Sequence, residues 1–155
     1  MDLGATLCTP KRPACGICPL VRDCLGRRAG IAETLPRKAD KAAKPIRHGI
    51  AWLAVGPDGA VLVETRPPEG LLGGMLALPS GPWGPEPCGE PPLPGAWSDL
   101  GVEVRHTFTH FHLRLRLHGA RVDNPAGDFR PAAAAGAAMP TVMRKALKLG
   151  LSALG

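Results

Sequence analysis

Polar and apolar residues alternate most clearly where Leu113, Leu115 and Leu117 interleave with Arg114, Arg116 and His118. A period of two puts the leucines on one face of a strand and the polar groups on the other, so residues 113–122 are expected as a half-buried strand. Upstream, IAWLAV (50–55) and AVLVETR (60–66) flank Pro57-Asp58-Gly59. Two apolar runs around such a turn predict a hairpin. After Pro140, which suits a first helical turn, the period changes. Val142, Met143, Ala146, Leu147 and Leu149–Gly150 form one packed stripe of a helix over MPTVMRKALKLGLSAL. Residues 67–98 are rich in proline and glycine and are expected as a long loop with one short strand around Met75–Leu78. Residues 125–138 are Ala/Gly-rich and show no pattern. Strands followed by a terminal helix predict an α+β domain from His48 onward.

The N-terminal part has a different character. Residues 29–47 (AGIAETLPRKADKAAKPIR) are polar, basic and interrupted by Pro36 and Pro45, which reads as a connector with at most a short helix. In MDLGATLC, Leu3 and Leu7 stand four apart, as in the last turns of a longer helix. A lone helix of that length is marginal in water, so the start is expected to be cut from a longer protein. Charge sharpens this division. The net charge is +6. Residues 1–47 hold ten basic residues (Lys41 among them) and four acids, and the remainder holds nine of each. The entire surplus therefore sits in the N-terminal part, where a polyanion would meet it first. A solvated linker explains the same charge equally well. No apolar run approaches the roughly 20 residues that span a bilayer, and the N-terminus lacks the order of a signal peptide.

Four of the five cysteines fall within 17 residues, as Cys8-(six)-Cys15-(two)-Cys18-(five)-Cys24, with Cys88 far away. Without an export signal a metal site is a stronger reading than disulfides. Thiolates bind both zinc and iron–sulfur clusters. Structural zinc usually draws on two close pairs, whereas only Cys15 and Cys18 form one here. Four single corners reached from one loop fit a cubane better, and Pro10, Pro13 and Pro19 would stiffen that loop. Zinc, and four unrelated thiols, stay open on spacing alone.

The spacing, with its lead-in MDLGATLCTPKRPACGICPL, resembles the [4Fe–4S] loop of the helix-hairpin-helix DNA glycosylases, and within them the MutY-type adenine DNA glycosylases. The resemblance implies a [4Fe–4S] cluster on Cys8, Cys15, Cys18 and Cys24, with Lys11, Arg12 and Arg22 approaching DNA phosphates. HTFTHFHL (106–113) resembles the family's loop that reads 8-oxoguanine, usually Phe-Ser-His, with Phe108, Thr109 and His110 in those places. Phe108 would wedge beside the base and the Thr109 hydroxyl would address its altered edge. Taken singly, Phe108 reads as a core residue and the histidines as solvated. RPPEGLLGGMLALPSG (66–81) is similar, more loosely, to a Gly-Leu-Trp-Gly-Gly segment of the same family, LPRKADKAAKPIR to its interdomain connector, and MPTVMRKALK to its terminal helix.

The resemblance thus implies an α+β chain in three parts. Residues 1–28 would end a glycosylase domain with its cluster loop, 29–47 would be the basic linker, and 48–155 a Nudix-like mixed sheet with a C-terminal helix. Double-stranded DNA with 8-oxoguanine:adenine mispairs is the expected partner, with no membrane, a monomeric state and a cytoplasmic, nucleoid-associated bacterial setting. The glutamate and aspartate that excise adenine lie upstream of the cluster in the family. Only Asp2 precedes Cys8 here, so no catalytic residue is assigned and the chain alone is expected to be inactive. It is read as a C-terminal portion, from a truncated or frameshifted gene or a subcloned piece, with Met1 internal. Two other readings compete: a stand-alone zinc and DNA-binding module, and a Nudix-type nucleotide hydrolase. The second lacks the Glu-rich helix that binds magnesium, because PWGPEPCGEPPLPG offers only Glu86 and Glu90 among prolines.

Overall fold

A computed structural model describes residues 2–40 and 42–155. Lys41, counted above in the connector, and Met1, read above as internal, lie outside the described residues. The chain divides into two compact units, one ending at Ala42 and the other Ala43–Gly155.

The first unit is mostly loop. Helix α1 (Leu3–Thr6) is a single turn whose N-cap, Asp2, accepts from the Gly4 amide at 3.1 Å. A 3₁₀ turn spans Cys15–Ile17, and α2 covers Leu25–Arg28 with Cys24 as its N-cap residue. A second 3₁₀ turn at Ala32–Thr34 is the one helical piece of the connector among the described residues.

The second unit is built on a five-stranded mixed sheet in the order β5-β6-β1-β2-β7. Its strands are β1 (Ile46–Val55), β2 (Ala60–Leu62), β5 (Ser98–Thr107), β6 (His112–Arg121) and β7 (Phe129–Pro131). Strands β3 (Glu64–Thr65) and β4 (Leu76–Ala77) form a separate small antiparallel pair. β1 and β6 run parallel over ten residue pairs, from Ile46 opposite His112 to Val55 opposite Arg121. The other pairings in the sheet are antiparallel. The two helices after β7 are α3 (Ala132–Ala138) and α4 (Thr141–Leu154).

A parallel strand covered on both faces reads as an unbroken apolar run, which explains IAWLAV. Leu53 faces α4 so closely that a Cβ at Gly150 would stand 2.8 Å from its Cδ2. On the opposite face Trp52 meets Trp97 edge-on at 5.3 Å and His118 at 5.0 Å. Leu113, Leu115 and Leu117 are buried as their alternation requires. The β1–β2 hairpin forms with Gly59 at φ +78°, a left-handed conformation that glycine adopts without strain.

Three expectations need correction. Strand β5 covers residues 99–105, for which nothing was foreseen, and runs into the recognition segment that begins at His106. Its alternation of Leu100, Val102 and Val104 is broken by a register shift between Asp99 and Glu103, with Gly101 at φ +68°. The featureless 125–138 stretch contains β7 and α3, whose alanines become legible only once Ala135 is buried against the sheet and α4. In α4, Leu149 is 37% exposed rather than packed, while Pro140 stands at the N-cap, directly before the first turn.

Leu117 sits at 0% exposure, beside the helix at Gly150. Leu117→Ala should lower unfolding free energy by about 2–5 kcal/mol through the cavity it leaves. A urea titration of the full chain, compared with wild type, checks this.

Candidate cysteine centre and nucleic-acid interface

In the first unit the cysteines arrive from four separate backbone settings. Cys8 follows α1, its amide donating to the Leu3 carbonyl at 2.6 Å. Cys15 opens the 3₁₀ turn, and Cys18 closes it by donating to the Cys15 carbonyl at 3.3 Å. Cys24 caps α2. The Ala14 amide donates to the Leu7 carbonyl at 2.8 Å, which draws the loop between Cys8 and Cys15 shut. All four thiols are free of disulfides and line one cavity of about 40 Å³, walled by Leu7, Pro13, Val21 and Ala32 with Arg27 at its edge. Four soft sulfur donors around an apolar hollow suit an iron–sulfur cluster.

Thiolates alone serve zinc and an iron–sulfur cluster alike, so the ligand type leaves both open. Lys11, Arg12 and Arg22 are all exposed on this unit. Cys88, also exposed, lies near the Pro82 carbonyl in the second unit.

In the second unit, the segment 106–113 is a tight hairpin rather than a free loop. β5 ends at Thr107 and β6 begins at His112, and the Phe108 amide donates to the Phe111 carbonyl at 2.9 Å. Thr109 and His110 occupy the exposed tip. Phe108 is half-buried in an aromatic cluster, stacked on Trp83 at 6.0 Å, against Phe111 at 5.0 Å and edge-on to His106 at 4.6 Å. Two guanidinium groups close the cluster, Arg47 over Phe111 at 4.5 Å and Arg66 over Trp83 at 4.7 Å. Lys44 Nζ donates to the Phe108 carbonyl at 3.0 Å, and the Thr107 hydroxyl and His112 Nδ1 share a hydrogen bond of 2.9 Å. Burial, and then the nearby Lys145 ammonium, hold the His106 pKa below its ordinary value.

The supporting residues Lys44, Arg47, Arg66, Trp83 and His106 were not legible as site residues. They come from segments far apart in sequence, and Trp83 is hidden in the proline-rich stretch. Residues 79–97 form no helix, and Glu86 and Glu90 lie in irregular backbone there. Glu64 is half-buried at the neighbouring β3, where it accepts from the Ser80 amide at 3.3 Å. Burial raises its pKa against the opposing pull of the Ser80 amide and Arg66.

Comparison with known proteins places these features. The NUDIX domain profile matches residues 50–149, and the iron–sulfur binding domain of endonuclease III matches residues 8–24. A human adenine DNA glycosylase is 28% identical over 79% of this chain and 33% of its own length, so the chain spans about a third of that relative. The C-terminal domain of mouse MUTYH, solved in complex with human PCNA, superposes with a TM-score of 0.52 at 22% identity, over 68% of this chain and 88% of that one. A MutT protein from Methanosarcina mazei superposes with a TM-score of 0.54 at 12% identity, over 72% and 97% of the two chains. At such identities the superpositions speak for the fold. The chain belongs to the Nudix domain family, and it carries that domain behind an endonuclease III-type iron–sulfur loop, as the C-terminal region of MutY-like adenine DNA glycosylases does.

Proposed function

We propose that this chain supplies cluster-loop contacts and lesion reading to an adenine DNA glycosylase that removes adenine paired with 8-oxoguanine. The observation that carries the reading is the union, in one chain, of an iron–sulfur loop match with a Nudix sheet whose hairpin tip exposes Thr109 and His110. Cys8, Cys15, Cys18 and Cys24 hold a [4Fe–4S] cluster, which when bound ties four parts of the loop together. Lys11, Arg12 and Arg22, carried on that loop, meet DNA phosphates through their exposed cations.

The lesion chemistry follows from the base. Guanine offers N7 as an acceptor in the major groove. Its 8-oxo form presents an N7–H donor there and an added oxygen acceptor at C8. The Thr109 hydroxyl both accepts and donates, so it can satisfy either of these. Phe108, gripped by Trp83 and Phe111, sets the position of that hydroxyl and offers its remaining ring edge to the base. Aromatic packing beneath an exposed tip lowers the entropy lost when the tip binds.

This chain alone does not excise adenine: a general acid needs a carboxyl raised toward neutral pH, and the carboxyl that burial raises here, Glu64, is already held by the Ser80 amide beside Arg66. Nucleotide hydrolysis is likewise left out, because the segment after Gly81 brings no group of carboxylates together among the described residues.

Two measurements test the reading. The chain purified without oxygen should be brown, with iron and sulfide in equal amounts, and should bleach on chelation. Cys18→Ser should abolish the colour, whereas a colourless zinc protein would defeat the cluster assignment. In duplex binding, Thr109→Val should reduce preference for 8-oxoguanine over guanine by about 1–2 kcal/mol, the scale of one hydrogen bond, with little change in salt dependence. Lys11→Ala with Arg12→Ala should instead weaken all duplexes alike. Discrimination that survives Thr109→Val would show that the hairpin tip does not read the base.

A further inference from the structure

Edge strand β5 runs down from the hairpin tip with cations on both of its sides. On one side Arg105 is the direct cross-strand partner of Arg114. Like charges placed opposite each other destabilise a strand pair unless something neutralises them. The two arginines line a cavity of about 290 Å³ together with Thr107 and His112. On the other side a groove of about 370 Å³ lies between β5 and α4, lined by Arg105, Lys145, Lys148 and the Ser152 hydroxyl. Arg105 lines both hollows, so the two strips of cations meet at that side chain on the edge of the sheet.

The charge of this strip is largely unspent within the protein. Glu103, which bonds Arg105 at 3.0 Å, is the carboxylate in the groove. Among the described residues Lys145 and Lys148 have no salt-bridge partner, and both are exposed on α4 three residues apart, about 4.5 Å along the helix. Arg144, their neighbour, is by contrast committed to capping α3, donating to the Gly136 and Met139 carbonyls at 2.9 and 3.1 Å. The Lys145 charge also acts on His106, whose ring meets Phe108 edge-on at 4.6 Å.

We propose that Arg114, Arg105, Lys145 and Lys148 form a track for the sugar-phosphate backbone of the duplex whose oxidised base the hairpin reads. The inference rests on the reading of the hairpin given above and adds to it the strand that runs away from the read base. From Arg105 to Thr109 the chain can extend at most roughly 13 Å, which corresponds to about four base-pair steps of duplex. The cations therefore lie within reach of the phosphates that flank the read pair. Such contacts hold register and contribute affinity without sequence or lesion preference. Charge complementarity favours a polyanionic strand over a neutral partner.

Fluorescence anisotropy of the full chain, against one duplex containing 8-oxoguanine opposite adenine and a matched duplex containing guanine, tests the track across a salt series. The double variant Lys145→Ala/Lys148→Ala should weaken both duplexes equally and reduce the slope of log affinity against log salt by about one for each lysine. Preference for the oxidised base should remain, and Lys145→Arg/Lys148→Arg should restore affinity and slope. An unchanged urea midpoint confirms that the alanine variant folds. If affinity and slope are unaltered while wild type still prefers the oxidised duplex, the track is wrong and the hairpin reading stands. If wild type shows no such preference yet the variant still flattens the slope, the hairpin reading fails and the phosphate track survives. Loss of preference in the lysine variant, no duplex binding by wild type, or equal displacement of duplex by a poly-glutamate peptide of matched charge would each overturn the track.

Discussion

The parallel pairing of β1 with β6 is the constraint on which the second unit depends. Ten consecutive residue pairs in register bring Arg47, Gly49, Ala51 and Leu53 to the same face as Leu113, Leu115, Leu117 and Gly119. That face becomes the floor beneath α4, and the two glycines are what let neighbours close on it. A Cβ at Gly49 would stand 2.6 Å from Trp83, and one at Gly119 would stand 2.9 Å from Leu100. The same register carries the start of β6 to the start of β1, where the His112 amide donates to the Pro45 carbonyl at 2.9 Å. A slip by one residue would turn the leucines outward and separate the hairpin from Lys44 and Arg47 together.

The hairpin tip is therefore a product of the core rather than an appendage to it. Trp83, resting over Gly49, is the link, because it joins the sheet floor to Phe108 and takes Arg66 on its other side. The arrangement has a cost. Trp83 Nε1 is buried with no hydrogen-bond partner among the described residues, as is Trp52 Nε1. An unmet donor of this kind costs about 1–3 kcal/mol. The area of apolar ring removed from water, and the cations stacked on it, offset that loss. What results is an exposed threonine and histidine above a base of packed aromatic rings.

Charge illustrates how differently the two units are organised. In the first, eight basic residues against four acids give an excess that folding need not arrange, and Lys11, Arg12 and Arg22 are simply exposed on the cysteine loop. In the second unit, from Ala43, the acids outside the strands lie mainly in turns and loops, at Asp58, Glu69, Glu86, Glu90, Asp123 and Asp128. Cations from β5, β6 and α4 meet along one edge instead. A segment that is close to neutral as a string of residues thus becomes locally basic through topology. The position of charge, as well as its total, determines how it steers a polyanion.

Local patterns were sufficient wherever one element carried its own periodicity or spacing. The alternating leucines of β6, the β1–β2 turn, the stripe of α4 and the four-cysteine loop could all be read because each is a contiguous pattern with one physical cause. Thr109 and His110 could be placed at a candidate reading position through the motif around them. The sequence left β5 hidden, because the bulge at Gly101 shifts its period, and left α3 and β7 hidden, because alanine carries little pattern until a neighbour buries it. It also could not show Trp83, Arg66, Arg47 and Lys44 converging on Phe108, nor Arg105 meeting Lys145 and Lys148 across the sheet edge. Those juxtapositions join segments separated by up to 64 residues, as in the Lys44–Phe108 hydrogen bond, and chain connectivity says nothing about them until strand register is set.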